Sequence, residues 1–155
     1  MLIAEIRFCT GEDVARVVEV DKTSPYPWPE QIIAKDLLSE EAGLSYVGAF
    51  ATGDSGRLLG YAVLGSEKGG GLLMNLVVLP HYRRQGIGIQ LLVAVAECAA
   101  EMGFSSLALR VRESNYAALA LYRSLGFKGD ATRGGFYSNG DAAQYMSLKL
   151  PLVVD

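Results

Sequence analysis

Apolar and polar positions in this chain follow a period of two in some stretches and a helical period in others, and the two kinds of stretch alternate along its length. Leu2 to Phe8 reads as a first strand. Thr10, with Asp13 three residues on, has the form of a capping box, and Val14, Val17 and Val18 recur behind it at helical spacing. Pro29 at a helical first turn opens a second helix through Leu38. Tyr46 to Phe50 and Leu58 to Leu64 read as strands about the turn Thr52-Gly53-Asp54-Ser55-Gly56. Gly69-Gly70-Gly71 then turns the chain into a nearly continuous apolar strand, Leu72 to Leu79, which Pro80 ends because it cannot donate to a ladder. This much is an antiparallel meander. Beyond Gly88, Leu91, Leu92, Val95, Ala99 and Met102 keep helical spacing up to Gly103, which is placed to cap the C-terminus. A parallel crossover leads to a strand over Ser106 to Arg112, a helix over Asn115 to Leu125 stopped by Gly126, and a closing hairpin whose last strand is Tyr145 to Leu150. The fold class is therefore α/β with a mixed sheet, in one domain over residues 1–155.

Bulk properties narrow the function classes. Fourteen basic residues against seventeen acidic ones give a net charge of −3, so no global positive field holds the chain on nucleic acid or on an anionic membrane. No charged-then-apolar leader opens the sequence and no apolar run reaches the ~18 residues of a membrane helix, which points to the cytoplasm. Cys9 and Cys98 lie far apart in apolar surroundings and read as reduced, buried thiols with no chemistry and no metal.

One junction carries chemistry. Between the apolar strand and the long helix stands Arg83-Arg84-Gln85-Gly86-Ile87-Gly88. The two glycines leave the backbone bare enough for N–H groups to approach a ligand, and the helix directs its partial positive end at the same spot, so the expected ligand is a phosphate or pyrophosphate. A tight turn with no ligand is the competing explanation. A Walker A loop is excluded, since no lysine occurs between Lys68 and Lys128. A dinucleotide fingerprint would place a third glycine where Leu91 stands.

The pattern formed by Arg83, Gly86 and Gly88 resembles the acyl-CoA pyrophosphate loop of the GCN5-related N-acetyltransferases. Downstream, Leu107 to Phe127 resembles the second half of that family, with a strand, an Asn, and a helix carrying Leu-Tyr and ending in Gly-Phe. Pro27-Trp28, Met74-Asn75-Leu76, Gly135-Phe136-Tyr137 and the segment Asp141 to Met146 are similar to the branch that acetylates ribosomal-protein alanines. The resemblance implies a central, mostly antiparallel sheet with two parallel strands splayed at the CoA site, flanked by helices. It implies acetyl transfer from acetyl-CoA, without a metal, to a primary amine: a protein N-terminus first, a small-molecule amine next. A non-catalytic acyl-CoA-binding module and a dinucleotide-dependent oxidoreductase stay as alternatives. Partners would be the acceptor peptide or amine, with no nucleic acid and no membrane, and the protein would be a monomer or weak homodimer.

On that resemblance the backbone of Leu76, Val77 and Val78 pairs with the amides of the pantetheine arm. The diphosphate falls on the N–H groups of Arg84, Gln85, Gly86, Ile87, Gly88 and Ile89, with Arg83 adding a charge-assisted contact. Asn115, an ordinary helix cap by itself, gains a CoA contact. Tyr122, seven residues further and on the same helical face, is implied as the acid that protonates the departing thiolate. Tyr26, Trp28, Met74, Asn75, Phe136 and Tyr137 are candidates for the acceptor groove. The branch places a Glu where Arg110 stands here, and arginine cannot take a proton. Glu113 is a weak substitute and His81, at the mouth of the loop after Pro80, reads as exposed and idle, while Tyr137, a backbone carbonyl or a water chain stay open as the base. An acceptor amine that sheds its proton to solvent, helped by like-charge repulsion from Arg110, needs no carboxylate, and Arg110 could instead bind a carboxylate on the acceptor.

Overall fold

The computed structural model describes residues 1–39, 43–53, 56–133 and 142–153. The strands are β1 (Glu5–Phe8), β2 (Ser45–Phe50), β3 (Leu58–Glu67), β4 (Gly70–Val78), β5 (Ser106–Arg112), β6 (Lys128–Arg133) and β7 (Ala143–Lys149). The helices are α1 (Val14–Asp21), α2 (Glu30–Leu38), α3 (Ile87–Glu101) and α4 (Tyr116–Ser124). Seven strands form one sheet in the order β1-β2-β3-β4-β5-β7-β6. Only β4 and β5 pair parallel among the registers described; β1–β2, β2–β3, β5–β7 and β6–β7 are antiparallel. The mixed sheet read from the periodicity is present. The chain divides into two compact units, Met1–Gly65 with Asn75–Val95 and Ser66–Met74 with Ala96–Asp155.

In the first unit the capping box forms: the Thr10 side chain accepts from Glu12 N–H, and the Asp13 carboxylate accepts from Thr10 N–H at 2.8 Å. A 3-10 turn over Gly11–Asp13 leads into α1, which buries Val17, Val20 and Asp21. Val14 and Val18 are only half-buried. The core gathers Val17, Val20, Ile33, Tyr46, Phe50, Tyr61, Val63 and Val77, with Trp28 packed against it. The first strand is shorter than its apolar pattern, because Leu2 and Ala4 take their hydrogen bonds elsewhere. Leu2 N–H donates to the Gln85 carbonyl at 2.8 Å, and the Gln90 side chain donates to the Leu2 carbonyl and accepts from Ala4 N–H. Pro80 ends β4 as expected and starts a 3-10 turn, Pro80–Tyr82.

In the second unit β5 alternates as its sequence does, burying Leu107, Leu109 and Val111. The turn before β4 is made by Lys68 (φ 51°) and Gly69 (φ 81°). Gly70 and Gly71 already belong to β4, where a Cβ would lie 2.9 Å from Ser106 Oγ and 3.3 Å from the Ser106 carbonyl. These two glycines serve close approach of the strands rather than the turn. Gly103 (φ 92°) closes α3 through its own N–H to Ala100 and that of Phe104 to Ala99. Met102 lies past the end of that helix and is exposed, so the buried stripe stops at Ala99.

Candidate active site

The junction between β4 and α3 is a turn whose backbone is left-handed at Arg84 (φ 62°) and at Gly86 (φ 89°). A glycine adopts that conformation freely, whereas Arg84 holds it at a cost of about 1–2 kcal/mol. Such turns present successive N–H groups along a concave row, and strain of this kind collects at ligand-binding loops. Two side chains fix the turn from within: Arg83 Nε donates to the Val78 carbonyl at 3.0 Å, and Gln85 Nε2 donates to the His81 carbonyl at 3.0 Å. Arg84, Gln85 and Gly86 line a concavity of about 600 Å³ together with Met1 and Leu2. Arg83, Arg84 and Gln85 are exposed, Ile87 is buried in the first turn of α3, and Gly88 and Ile89 are half-buried. The arrangement can take an anion on main-chain N–H groups with an arginine beside it. His81 is exposed, edge-on to Tyr82, with its carbonyl used by Gln85.

On β4, Val77 is buried and Leu76 and Val78 are half-buried. The parallel ladder joins Gly71 to Leu107, Leu72 to Ala108 and Leu73 to Leu109, while β4 runs on to Val78. Leu76 N–H is received by the Oδ1 of its neighbour Asn75 at 3.1 Å. Asn75 in turn donates to the Tyr61 hydroxyl at 2.9 Å and to Asp21 at 3.2 Å. Asp21 is 1 % exposed and also accepts from the Tyr61 hydroxyl at 2.6 Å and from Trp28 N–H at 2.7 Å. Burial, and then the hydrogen bond to Asp21, push the Tyr61 phenol well above its ordinary range, so it stays a donor. The Tyr61 ring stacks on Tyr46, whose hydroxyl donates to Asp36 at 2.7 Å. Tyr26 is exposed and Trp28 half-buried.

In the second unit Asn115 caps α4, its Oδ1 accepting from Ala118 N–H at 3.2 Å. Tyr122 is 7 % exposed, with its ring tilted against Phe127 at 5.7 Å between centroids. Arg110 on β5 donates to Glu67 at the end of β3 and lies over the Tyr145 ring. Burial works against its charge, but hydrogen bonds with Tyr145 and Glu67 outweigh that and raise its pKa. The ion pair changes what Arg110 can do, since a compensated guanidinium repels an ammonium weakly and is already occupied toward carboxylates. Glu113 is exposed and follows the end of β5. Met74 is exposed, whereas Phe136 and Tyr137 fall outside the described residues. Among the described residues no cluster of His, Cys, Asp or Glu is suited to a metal ion.

Asp21, Tyr61, Glu67 and Gln90 escaped the sequence reading. Only Asp21 carried a local signal: it stands at the i+7 position of the stripe opened by Val14, an acid where the helical period demands an apolar residue.

Comparison with known proteins identifies the family. The family model for the acetyltransferase (GNAT) family matches residues 12–127. The ribosomal protein bS18-alanine N-acetyltransferase of Escherichia coli is 33% identical over 119 residues, 77% of this chain and 76% of that protein. An N-alpha-acetyltransferase of Saccharolobus solfataricus is 28% identical over 159 residues, covering 94% of this chain and 92% of that protein. The crystal structure of the Escherichia coli ribosomal-protein-S18-alanine N-acetyltransferase superposes with a TM-score of 0.82 at 27% identity, over 99% of this chain and 97% of that one. The chain belongs to the acetyltransferase (GNAT) family and is an acetyl-CoA-dependent N-acetyltransferase.

Proposed function

We propose that the acceptor is the α-amino group of a protein N-terminus, and that transfer runs directly from acetyl-CoA to that amine. The observation that carries this reading is the agreement of two relatives, 33% and 28% identical over most of the chain, one a ribosomal protein bS18-alanine N-acetyltransferase and the other an N-alpha-acetyltransferase. In this scheme the diphosphate of acetyl-CoA is held by the N–H groups of residues 84–89, with Arg83 and Arg84 supplying charge and the backbone of Leu76, Val77 and Val78 meeting the pantetheine arm. Leu76 N–H must then leave Asn75 Oδ1, or share it. Asn115 adds a CoA contact at the start of α4. The acceptor nitrogen bonds to the thioester carbon as the C–S bond breaks, the Tyr122 hydroxyl gives its proton to the departing sulfur, and the proton the nitrogen loses on becoming an amide returns through water to the Tyr122 oxygen. A phenol, with an ordinary pKa of about 10, is protonated at neutral pH and suited to that step. The amine sheds its proton to water before binding, so no carboxylate is needed at Arg110. Tyr26, Trp28, Met74 and Asn75 line the acceptor side, and the enzyme works in the cytoplasm, where Cys9 and Cys98 remain free thiols.

The test is release of CoA thiol from acetyl-CoA with N-terminal peptides, lysine-containing peptides with blocked N-termini, and small amines. Turnover should be confined to free α-amino peptides, with the acetyl group located on the α-nitrogen by fragment mass spectrometry. Faster turnover of small amines would overturn the choice of acceptor, and CoA binding without any amine-dependent release would overturn the catalytic scheme.

A further inference from the structure

The buried carboxylate of Asp21 has no part in that scheme, yet it joins three segments of the first unit. Its two oxygens divide the work. Oδ2 accepts from Trp28 N–H at 2.7 Å, and Oδ1 accepts from the Tyr61 hydroxyl at 2.6 Å and from Asn75 Nδ2 at 3.2 Å. One oxygen holds the loop between α1 and α2, and the other holds β3 and β4. The loop also folds around the same residue, with Ser24 N–H bonded to the Asp21 carbonyl at 2.9 Å and Tyr26 N–H to Ser24 Oγ at 3.2 Å. Asn75 carries the connection into the strand backbone, because its Oδ1 receives Leu76 N–H at 3.1 Å.

We propose that Asp21 is a positioning residue for acceptor binding, its carboxylate fastening the loop of Tyr26 and Trp28 to β4 at Asn75. This rests on the reading of Tyr26 and Trp28 as acceptor-lining residues. Oriented donors on both oxygens fix the carboxylate and everything attached to it, since a buried carboxylate left with an unmet oxygen is strongly unfavourable. The loop wall and the strand beside it therefore hold one relative arrangement in the free enzyme, and the acceptor meets a formed surface.

Asp21→Asn separates the two sides. An asparagine has a single side-chain acceptor oxygen, so it cannot accept from both Trp28 N–H and the Tyr61 hydroxyl, and with Oδ1 kept for Trp28 its NH2 faces the Asn75 donor. Steady-state kinetics with an N-terminal peptide, calorimetric titration with CoA, and acrylamide quenching of Trp28, the chain's single tryptophan, read the outcome. The variant is expected to raise the peptide KM about tenfold, to keep kcat and the CoA Kd within about threefold, and to make Trp28 more accessible to quencher. Tyr61→Phe, which removes only the hydroxyl, should shift peptide KM in the same direction by about two- to fivefold, and it decides the matter if Asp21→Asn does not fold. An unchanged peptide KM with unchanged quenching overturns the proposal, as does a CoA Kd that weakens in parallel with peptide KM. If the wild-type enzyme acetylates small amines and no peptide, the acceptor reading falls first and this proposal with it.

Discussion

The chain passes from strand to helix at two comparable places, β4 into α3 and β5 into α4, and the two junctions treat the first N–H groups of their helices differently. At α4, Asn115 supplies a side-chain oxygen that takes Ala118 N–H at 3.2 Å, and its carbonyl receives Leu119 N–H at 3.0 Å. At α3 the equivalent place is held by Gly86, whose carbonyl receives Gln90 N–H at 3.2 Å but which has no side chain to offer the donors above it. A junction that satisfies its own donors is a structural cap. One that leaves them to an outside acceptor, on a left-handed backbone beside Arg84, is suited to hold an anion. The identity of the cap residue tells the two apart.

Four substitutions break or sharpen that distinction. The largest effect belongs to the helix after the self-capped junction: Tyr122→Phe should lower kcat by about 100-fold or more while leaving CoA affinity nearly unchanged, measured by thiol release and calorimetry. A loss of CoA affinity instead would move Tyr122 from chemistry to binding. Next is Gly86→Val, which places a β-branched side chain at a φ of 89° against the Met1 side chain, in the space an anion would use. It should weaken CoA binding by about 10- to 100-fold, equivalent to roughly 1.4–2.8 kcal/mol. If it costs stability alone, the glycine is merely a turn residue. Asn115→Ala should lower stability by about 1 kcal/mol, a Tm decrease of about 2–4 °C in a domain of this size, and CoA affinity by a lesser factor than Gly86→Val. The smallest change is expected from Arg110→Ala. Its raised pKa keeps it charged throughout, so it can only repel an acceptor ammonium, and Glu67 offsets most of that charge. The rate at neutral pH should fall at most about threefold, and less at high pH, where the amine is already neutral. A large, pH-independent defect would show that Arg110 contacts the acceptor directly.

At Cys9, burial, and then the nearby Asp13 charge, push the thiol up to about 12 from its ordinary value of 9.0. The folded state keeps a proton there that the unfolded state loses, so this group's contribution to stability falls as pH rises through that interval, as alkaline unfolding midpoints of wild type and Cys9→Ala would show.

The residues that end elements were legible in the sequence because their signals are local. Thr10 and Asp13, Pro80, Gly103, Asn115 and Gly126 each act on backbone within a few residues, and each stands where its chemistry placed it. Arg83 to Gly88 was legible as a strand-to-helix turn for the same reason. What stayed hidden are partnerships across long stretches of chain: Gln90 with Leu2 at a separation of 88 residues, Asn75 with Asp21 at 54, and Arg110 with Glu67 at 43. Periodicity reports which face a residue occupies and says nothing of the polar atom it will meet there. Hence Arg110 read as an uncompensated charge. Asp21 was the exception in principle, an acid on the apolar stripe of α1.

The most direct measurement is a titration of the isotope-labelled protein with acetyl-CoA, followed by amide chemical shifts. Saturable binding is expected, with the largest backbone changes at residues 84–89 and lesser ones at Leu76, Val77 and Val78. Binding that leaves the amides of residues 84–89 unmoved, or no binding at all, would contradict the assignment of this turn as the diphosphate site.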